Sequence, residues 1–243
     1  MLRLSGRLMA LAQMVPSGAK IADIGTDHAF LPCYLLREKI TPFAVGVEVN
    51  KGPYQKACAT VEEFGLQEKI EIRLGDGLAV IKPREINVVI LAGMGGVVIR
   101  DILEKSPRVV ASLDKLIIQP MKGAELVRYW LINHGWLINE EELIYEDNQY
   151  YQIIGAKQNK HGEHGNVVLT LTEFEAIYGP LLLKKRPSLL TGLVEKDIKG
   201  WQEILNELAK SDKEEAKLRF IEYRKKLQEL KELQKWLSIA KSL

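Results

Sequence analysis

The sequence predicts an α/β fold, in which a Rossmann-like, seven-stranded sheet covered by helices precedes an α-helical coiled-coil hairpin. Three observations support this prediction. Short apolar runs alternate with amphipathic stretches from residue 20 onward, a pattern typical of a parallel sheet with helices on both faces. Two longer strand-like runs then follow each other directly, and the remaining sequence has only helical periodicity. The chain has 243 residues, 47% of them hydrophobic, and can bury a core of this size.

The first five predicted strands are short and apolar. They are Lys20–Gly25, Phe43–Glu48, Lys69–Leu74, Asn87–Ala92 and Lys115–Gln119. Residues 1–18 contain a short amphipathic helix, and residues 34–39, 51–65, 95–106 and 123–135 predict the helices between the strands. Residues 136–147 and 150–158 predict an edge hairpin joined by Asn148 and Gln149. Five alternating strands and a terminal hairpin match the class I methyltransferase sheet better than a dinucleotide-binding sheet, which would keep alternating.

A polar, aperiodic stretch at 157–166 predicts a linker between a domain of residues 1–160 and a helical domain of residues 161–243. In the helical domain, two runs with alternating spacings of four and three flank Ser211 and Asp212, as in an antiparallel coiled-coil hairpin. The runs are Val194, Ile198, Trp201, Leu205 and Leu208, and then Phe220, Tyr223, Leu227, Leu230, Gln234 and Leu237. Their shortness favours pairing within a monomer, with helix swapping between chains as the alternative.

Charge is distributed unevenly along the chain. Residues 184–243 carry 15 Lys or Arg and 10 Asp or Glu, whereas the whole chain carries 34 and 32. A basic tail on a slightly acidic body suits an anionic partner such as RNA, and a solvated helical surface is the alternative interpretation. The residues of this domain that we predict to bind the tRNA body include Lys184, Lys185, Arg186, Arg224, Lys225 and Lys226.

The two cysteines and the amino terminus exclude several classes of protein. Cys33 and Cys58 lie in apolar or helical patterns, and no Cys or His spacing fits a metal site. We therefore expect no disulfide, no metal and a cytoplasmic location. Arg7 and Gln13 interrupt the apolar patch near the amino terminus, so no membrane segment is predicted.

Four predicted strands end in polar or glycine-rich corners. Ligands of open α/β sheets bind at the carboxyl ends of the strands, so these corners are expected to form one site. Their candidate cofactor-binding residues are Asp23, Gly25, Thr26 and His28 after the first strand, Glu48 and Val49 after the second, Asp76 and Gly77 after the third, and Ala92, Gly93, Met94 and Gly95 after the fourth. Glu48 follows Asp23 at roughly the spacing at which a carboxylate binds ribose hydroxyls.

The first corner, DIGTDHA, distinguishes between nucleotide classes. A dinucleotide places its pyrophosphate on a glycine-rich turn, which negative charge disfavours. Asp23 and Asp27 would instead attract the ammonium and sulfonium of S-adenosylmethionine, since opposite charges about 4 Å apart gain up to about 4 kcal/mol at an effective dielectric near 20. We therefore predict S-adenosylmethionine as the cofactor, with Asp76 accepting a hydrogen bond from the adenine amino group.

Five ordered motifs between Leu4 and Gly155 carry a family resemblance: ADIGTDHAFLPCYLL, VGVEVNKGPYQKA, RLGDGLAVI, LAGMGG and LIIQPM. Together they resemble the bacterial TrmK family of tRNA (adenine-N1)-methyltransferases, which modify position 22 of tRNA. The resemblance implies a methyltransferase with tRNA as its substrate and N1 of an adenine as the methylated atom. Met121 lies where some members of that family have Asn.

The corner after the fourth strand, AGMGG, lacks the Asp/Asn-Pro-Pro-aromatic sequence typical of enzymes that methylate exocyclic amino groups. Adenine N1 already has a lone pair, so in-line transfer requires alignment and stabilisation of the cation that forms. Asp27 is therefore the predicted catalytic residue, contacting the target base; capping of the next helix is the alternative. The candidate substrate-binding residues are Arg3, Arg7, Lys51 and Met121, with further phosphate contacts from Lys122 and Arg128.

Two other interpretations of function stay open at this point. The chain is either a methyltransferase acting on another RNA or a small molecule, or a non-catalytic module whose hairpin binds a protein partner. Four acidic residues at strand ends argue against a degenerate pocket. Calorimetry with S-adenosylmethionine discriminates the module from the enzymes.

Overall fold

The computed structural model describes residues 2–159, 170–211 and 213–239. The chain forms two compact units, Met1–Leu181 and Leu182–Leu243. The division lies later than the predicted domain boundary at 160/161, because the helix Glu173–Tyr178 packs against the helix Ala124–Asn133 of the first unit. The proposed linker at 157–166 lies mostly outside the described residues.

The first unit contains the predicted seven-stranded sheet. Its strands are β1 (Ile21–Ile24), β2 (Ala44–Glu48), β3 (Ile70–Leu74), β4 (Val88–Gly95), β5 (Lys115–Lys122), β6 (Trp136–Glu146) and β7 (Gln149–Gln158). They lie in the order β3-β2-β1-β4-β5-β7-β6. Strands β1 to β5 are parallel, and β7 runs antiparallel to both of its neighbours. The seven-stranded sheet predicted from the alternating pattern and the terminal hairpin is therefore confirmed.

The hairpin turn lies one residue earlier than the sequence predicts. Glu146 pairs with Gln149, and the two turn residues are Asp147 and Asn148 rather than Asn148 and Gln149. Both turn residues have positive φ, 49° and 59°. Two-residue hairpin turns of type I′ have positive φ at both positions, and Asp and Asn adopt that conformation more readily than Gln.

The helices of the first unit are α1 (Gly6–Gln13), α2 (Phe30–Arg37), α3 (Lys51–Glu63), α4 (Gly96–Glu104), α5 (Pro107–Val110), α6 (Ala124–Asn133) and α7 (Glu173–Tyr178); α8 (Pro180–Lys185) contains the division between the units. A 3₁₀ turn covers Gly77–Val80. Helix α2 begins before the predicted start at Tyr34, because Pro32 lies in the first turn, where its missing N–H costs no helical hydrogen bond.

Alternate residues of the sheet enter two hydrophobic layers. In β1, Ala22 and Ile24 join one layer, whereas Ile21 joins the other. The first layer includes Ile99 and Leu103 of α4, and the second includes residues of α1, α2 and α3. Burial on both faces fixes the register of the parallel strands, so the carboxyl ends of β1 to β4 lie at one edge of the sheet.

The second unit contains two long helices, α9 (Ser188–Leu208) and α10 (Glu214–Ile239). They run antiparallel, since Trp201 contacts Tyr223 edge-on at 4.8 Å and Glu195 accepts a hydrogen bond from Gln234 at 3.2 Å. The buried residues of the two helices are Leu190, Leu193, Val194, Ile198 and Leu205, and Leu227, Leu230, Leu233 and Leu237. The two predicted helices are therefore present, and their coiled-coil packing stays a prediction.

Candidate active site

Two cavities of about 330 Å³ each open at the carboxyl ends of the central strands. We call them the Asp76 cavity and the Asp27 cavity. The Asp76 cavity is lined by Ile24, Gly25, Val47, Glu48, Val49, Gly75, Asp76, Gly77, Met94, Val98, Asp101, Ile102 and Lys105. The Asp27 cavity is lined by Arg7, Leu8, Asp23, Gly25, Thr26, Asp27, His28, Phe30, Leu31, Ala92 and Gly93. The structure therefore brings most of the predicted site residues together.

Gly25 lines both cavities. Its φ is +73°, a backbone conformation that is strained for residues with a side chain. A Cβ at this position would also lie 2.5 Å from the terminal methyl carbon of Met94, which could move aside. The backbone conformation is therefore what favours glycine between the two cavities.

Glu48, at the end of β2, is hydrogen-bonded to the corner that follows β1. Its side chain is buried, with 7% exposed, and its Oε1 accepts the backbone N–H of Asp27 at 2.5 Å. Oε2 has no hydrogen-bond donor among the described residues. Glu48 lines the Asp76 cavity, so this carboxylate oxygen is available to a hydroxyl group of a ligand there.

Asp23 is the most perturbed acid of the site. Burial raises its pKa to about 6, while the Thr26 hydroxyl, which donates to Asp23 Oδ2 at 2.6 Å, partly opposes that rise. The nearby negative charge of Glu48 raises the pKa further, and the positive charge of Arg7 lowers it. A cationic group in the Asp27 cavity would stabilise the ionised form of this carboxylate.

Asp27 does not cap helix α2. The helix begins at Phe30, its N-cap is Ala29, and no side chain bonds to its first turn. The Asp27 side chain is 67% exposed, and its ionic partner among the described residues is His28 Nε2, 3.8 Å away. The capping interpretation is therefore wrong, and the Asp27 carboxylate is available to a ligand.

The glycines after β4 have different roles. Gly93 has a φ of +77° and lies where the β4–β5 pairing is irregular, at the rim of the Asp27 cavity. A Cβ on Gly96 would collide with the backbone of Gly123, so Gly96 allows two turns to pack closely. Gly95 has φ −71° and lines neither cavity. Of these three glycines, Gly93 therefore combines a positive φ with a place in the lining of the Asp27 cavity.

Gln119 is a site residue that the sequence analysis missed. It is fully buried at the end of β5, and its Oε1 accepts from Arg7 Nη1 at 2.8 Å and from the backbone N–H of Gly93 at 3.2 Å. It thereby fixes the Arg7 guanidinium, which also lies 5.4 Å from the ring centre of Tyr151. A polar residue ending a buried strand, the signal that identified Glu48, would have found it.

The predicted substrate-binding residues divide into two groups. Arg7 lines the Asp27 cavity, whereas Arg3, Lys51, Met121 and Lys122 are exposed and line neither cavity. The sulfur of Met121 lies 3.7 Å from Gln119 Nε2. Contacts of these exposed residues with RNA stay a prediction.

Arg128 is not available to phosphate, contrary to the prediction. Its side chain is completely buried on α6 and pairs with the equally buried Glu141, with Arg128 Nε donating to Glu141 Oε1 at 2.8 Å. Burial lowers the pKa of Arg128, and Glu141 opposes that shift. This residue is part of the core.

Lys105 and Phe30 are further lining residues that the sequence analysis did not identify. Lys105 Nζ lies 3.3 Å from Asp76 Oδ2, so it partly neutralises the acid assigned to the adenine amino group. Phe30 lines the Asp27 cavity with 41% of its side chain exposed. Phe30 begins α2 within the motif ADIGTDHAFLPCYLL, and Lys105 is the C-cap of α4, but neither residue type by itself indicates a site.

In the described part of the chain, no group of three His, Cys, Asp or Glu residues is placed to hold a metal ion. None of the helices there combines the length and the apolarity that crossing a bilayer requires.

Comparison with known proteins identifies relatives of the whole chain. Residues 4–154 match the family model of a methyltransferase domain. A Bacillus subtilis protein named tRNA (adenine(22)-N(1))-methyltransferase is 32% identical over 234 residues, covering 96% of this chain and 97% of that protein.

Solved structures agree with this match. The crystal structure of the Bacillus subtilis m1A22 tRNA methyltransferase TrmK has 31% identity and a TM-score of 0.85, covering 96% of this chain and all of that one. Mycoplasma capricolum TrmK, in complex with the cofactor product S-adenosyl-homocysteine, has 30% identity and a TM-score of 0.80 over 96% and 98% of the two chains. The identity of 32% over nearly the whole of both chains shows that this chain belongs to the TrmK family of tRNA (adenine(22)-N(1))-methyltransferases.

Proposed function

We propose that this chain transfers the methyl group of S-adenosylmethionine to N1 of adenine 22 in tRNA. The observation that carries the proposal is that the Asp76 and Asp27 cavities share Gly25 in their lining and are lined by Asp23, Asp27, Glu48 and Asp76. Such a site suits a nucleoside that continues into a cationic chain. The relatives named for this activity align over nearly the whole length of the chain.

The residues present fit the cofactor at both ends. Glu48 would bind the ribose through its free Oε2, and Asp76 and Gly77 would border the adenine in the Asp76 cavity. Asp23, which lines the Asp27 cavity, would face the ammonium of the methionine moiety. Gly25 would let the cofactor pass beneath Met94. His28, Ala92 and Gly93 would form the wall on the methionine side.

Bound S-adenosylmethionine would supply a methyl group on a sulfonium. The lone pair of adenine N1 would attack that methyl carbon in line, and the carbon–sulfur bond would break as the carbon–nitrogen bond forms, leaving S-adenosyl-homocysteine with an uncharged sulfur. The positive charge then resides on the methylated base. We assign Asp27 to that base: its carboxylate would accept a hydrogen bond from the N6 amino group and stabilise the charge. The backbone N–H of Asp27 donates a hydrogen bond to Glu48, and this bond holds Asp27 at the rim of the Asp27 cavity.

Incubation of unmodified tRNA with labelled S-adenosylmethionine, followed by nucleoside analysis, tests the proposal. We expect 1-methyladenosine, and loss of the label when adenine 22 is replaced by guanine in a tRNA transcript. Label in another nucleoside or at another position would overturn the assignment. If calorimetry detected no binding of S-adenosylmethionine, the chain would instead be a binding module.

The second unit supplies a candidate surface for the tRNA body. A cavity of about 640 Å³ along α10 is lined by Phe220, Ile221, Arg224, Lys225, Leu227, Gln228 and Lys231. Three cations beside apolar side chains suit a nucleic-acid backbone. Arg186 is less available than predicted, because its guanidinium lies 3.5 Å from the ring centre of Trp236.

Replacing Arg224, Lys225 and Lys231 together by Gln tests this surface. We expect weaker tRNA binding with a smaller salt dependence, because fewer phosphates are neutralised, and unchanged cofactor affinity. The matched control replaces Lys210, Lys217 and Arg219, which do not line this cavity and pair with nearby glutamates at 2.6, 3.5 and 2.8 Å, closer than the 3.8 Å between Lys225 and Glu229. Equal losses of tRNA affinity in the two triple variants would contradict a specific surface.

We propose further that the chain works as a monomer in the cytoplasm.

A further inference from the structure

Phe30 is an aromatic residue without an evident structural role. It begins helix α2, yet 41% of its side chain is exposed, and it belongs to neither hydrophobic layer of the first unit. Its neighbours Leu31, Cys33 and Leu35 supply the buried face of the same helix. Packing of α2 therefore does not require an aromatic side chain at this position.

The ring of Phe30 is supported from one side by His28. The two rings are nearly parallel, with an interplanar angle of 8° and centroids 5.3 Å apart. His28 lies between two residues in the left-handed conformation, Asp27 with φ 51° and Ala29 with φ 55°. Non-glycine residues adopt this conformation at a cost, and such strain is retained mainly where a site needs it. Here the strained turn brings two flat side chains and a carboxylate to one cavity.

Resting on the proposed function, we propose that Phe30, backed by His28, is the stacking platform for the target adenine. A base at the rim of the Asp27 cavity, beside the methionine end of the cofactor, would lie on the exposed ring and direct its N6 amino group to Asp27. A purine buried in a folded tRNA loses its stacking when it is extruded, at a cost of a few kcal/mol. The platform offsets part of that loss, because bases stack favourably on aromatic rings whatever their identity.

The platform also divides the recognition of the base between two side chains. Stacking on Phe30 accepts any base, so it fixes the plane of the ring without selecting adenine. The edge of the base must then be read by polar groups, and Asp27 is the acid at the rim of that cavity with a carboxylate available to an amino group. Phe30 would set the alignment for in-line attack, and Asp27 would set the preference for an amino-bearing edge.

The variants Phe30→Leu and Phe30→Trp test the proposal, with methylation kinetics on tRNA and calorimetry with S-adenosyl-homocysteine as separate measurements. Leu keeps an apolar side chain of similar size without a π-face. We expect Phe30→Leu to lower kcat/KM for tRNA about tenfold to a hundredfold with cofactor affinity unchanged within twofold. Phe30→Trp should retain kcat/KM within about threefold of the unmodified chain, which a merely space-filling role would not produce.

Tyr129→Leu is the matched control, since Tyr129 is also 41% exposed in the first unit and lines neither cavity. Its kinetics should equal those of the unmodified chain. The platform is overturned if Phe30→Leu keeps its kcat/KM within twofold, or if it loses cofactor affinity in parallel. Failure of the proposed function is distinguishable, because the unmodified chain would then form no 1-methyladenosine at all.

Discussion

Two buried charge clusters of the first unit contrast in how far the protein satisfies them. Around Arg128 and Glu141, every charged atom has a partner: Arg128 Nη1 donates to the Ala176 carbonyl at 2.8 Å, Nη2 to Gln152 Oε1 at 2.6 Å, and Glu141 Oε2 accepts the N–H of Leu181 at 2.8 Å. Around Asp23 and Glu48, by contrast, acids face one another and a cavity. A satisfied cluster holds the fold together, whereas an unsatisfied one indicates where a ligand binds.

The satisfied cluster should show the larger effect on stability. Arg128→Met leaves Glu141 buried without its cation, and we expect a loss of about 3–5 kcal/mol in the free energy of unfolding. Urea denaturation measures it. The double variant Arg128→Met/Glu141→Leu should recover much of the loss, since neither charge then remains buried. A double variant as unstable as the single one would show that the pair stabilises the fold beyond mutual neutralisation.

Asp27 should show the largest effect on turnover. Asp27→Ala removes the acid assigned to the target base, and we expect kcat to fall about 10²- to 10³-fold, as when other groups that stabilise transition-state charge are removed. Affinity for S-adenosyl-homocysteine should be nearly unchanged, which calorimetry measures. Asp27→Asn keeps the hydrogen-bond acceptor without the charge and separates the two contributions. Near-normal methylation by Asp27→Ala would contradict the catalytic assignment.

Replacing Asp23 should change the free energy of unfolding in the opposite direction to replacing Arg128. Its folded pKa of about 6 exceeds the ordinary 3.8, so the ionised carboxylate destabilises the fold, and this cost develops as pH rises from about 4 to about 6. Asp23→Asn should therefore raise the free energy of unfolding by about 1–3 kcal/mol at pH 7 and by little at pH 4. The same variant should bind S-adenosylmethionine more weakly. Equal stability gains at both pH values would exclude ionisation as the cause.

The sequence predicted the seven-stranded sheet because alternation and the terminal hairpin are strong local signals. It also pointed to acids that line the two cavities, since a charged residue at the end of a buried strand has few structural uses, and their roles stay predictions. It failed for Arg128, whose charge suggested a surface, although Ala124, Val127 and Leu131 place it on the buried stripe of α6. Phe30 carries no such mark: only the fold shows that this aromatic side chain is left outside the core.

The pH dependence of cofactor affinity is the smallest expected effect. It tests whether the cluster around Asp23 and Glu48 binds a cation. Below its pKa of about 6, Asp23 is protonated and no longer attracts the ammonium group, so affinity for S-adenosylmethionine should fall about tenfold between pH 7 and pH 5. Calorimetry at constant ionic strength measures this. The matched variant Asp23→Asn should bind weakly with little change over the same range. His28 faces the same cavity beside Asp27, so His28→Gln serves as a second control: if that variant abolished the pH dependence, the titrating group would be the histidine, and the cation would be held by other acids.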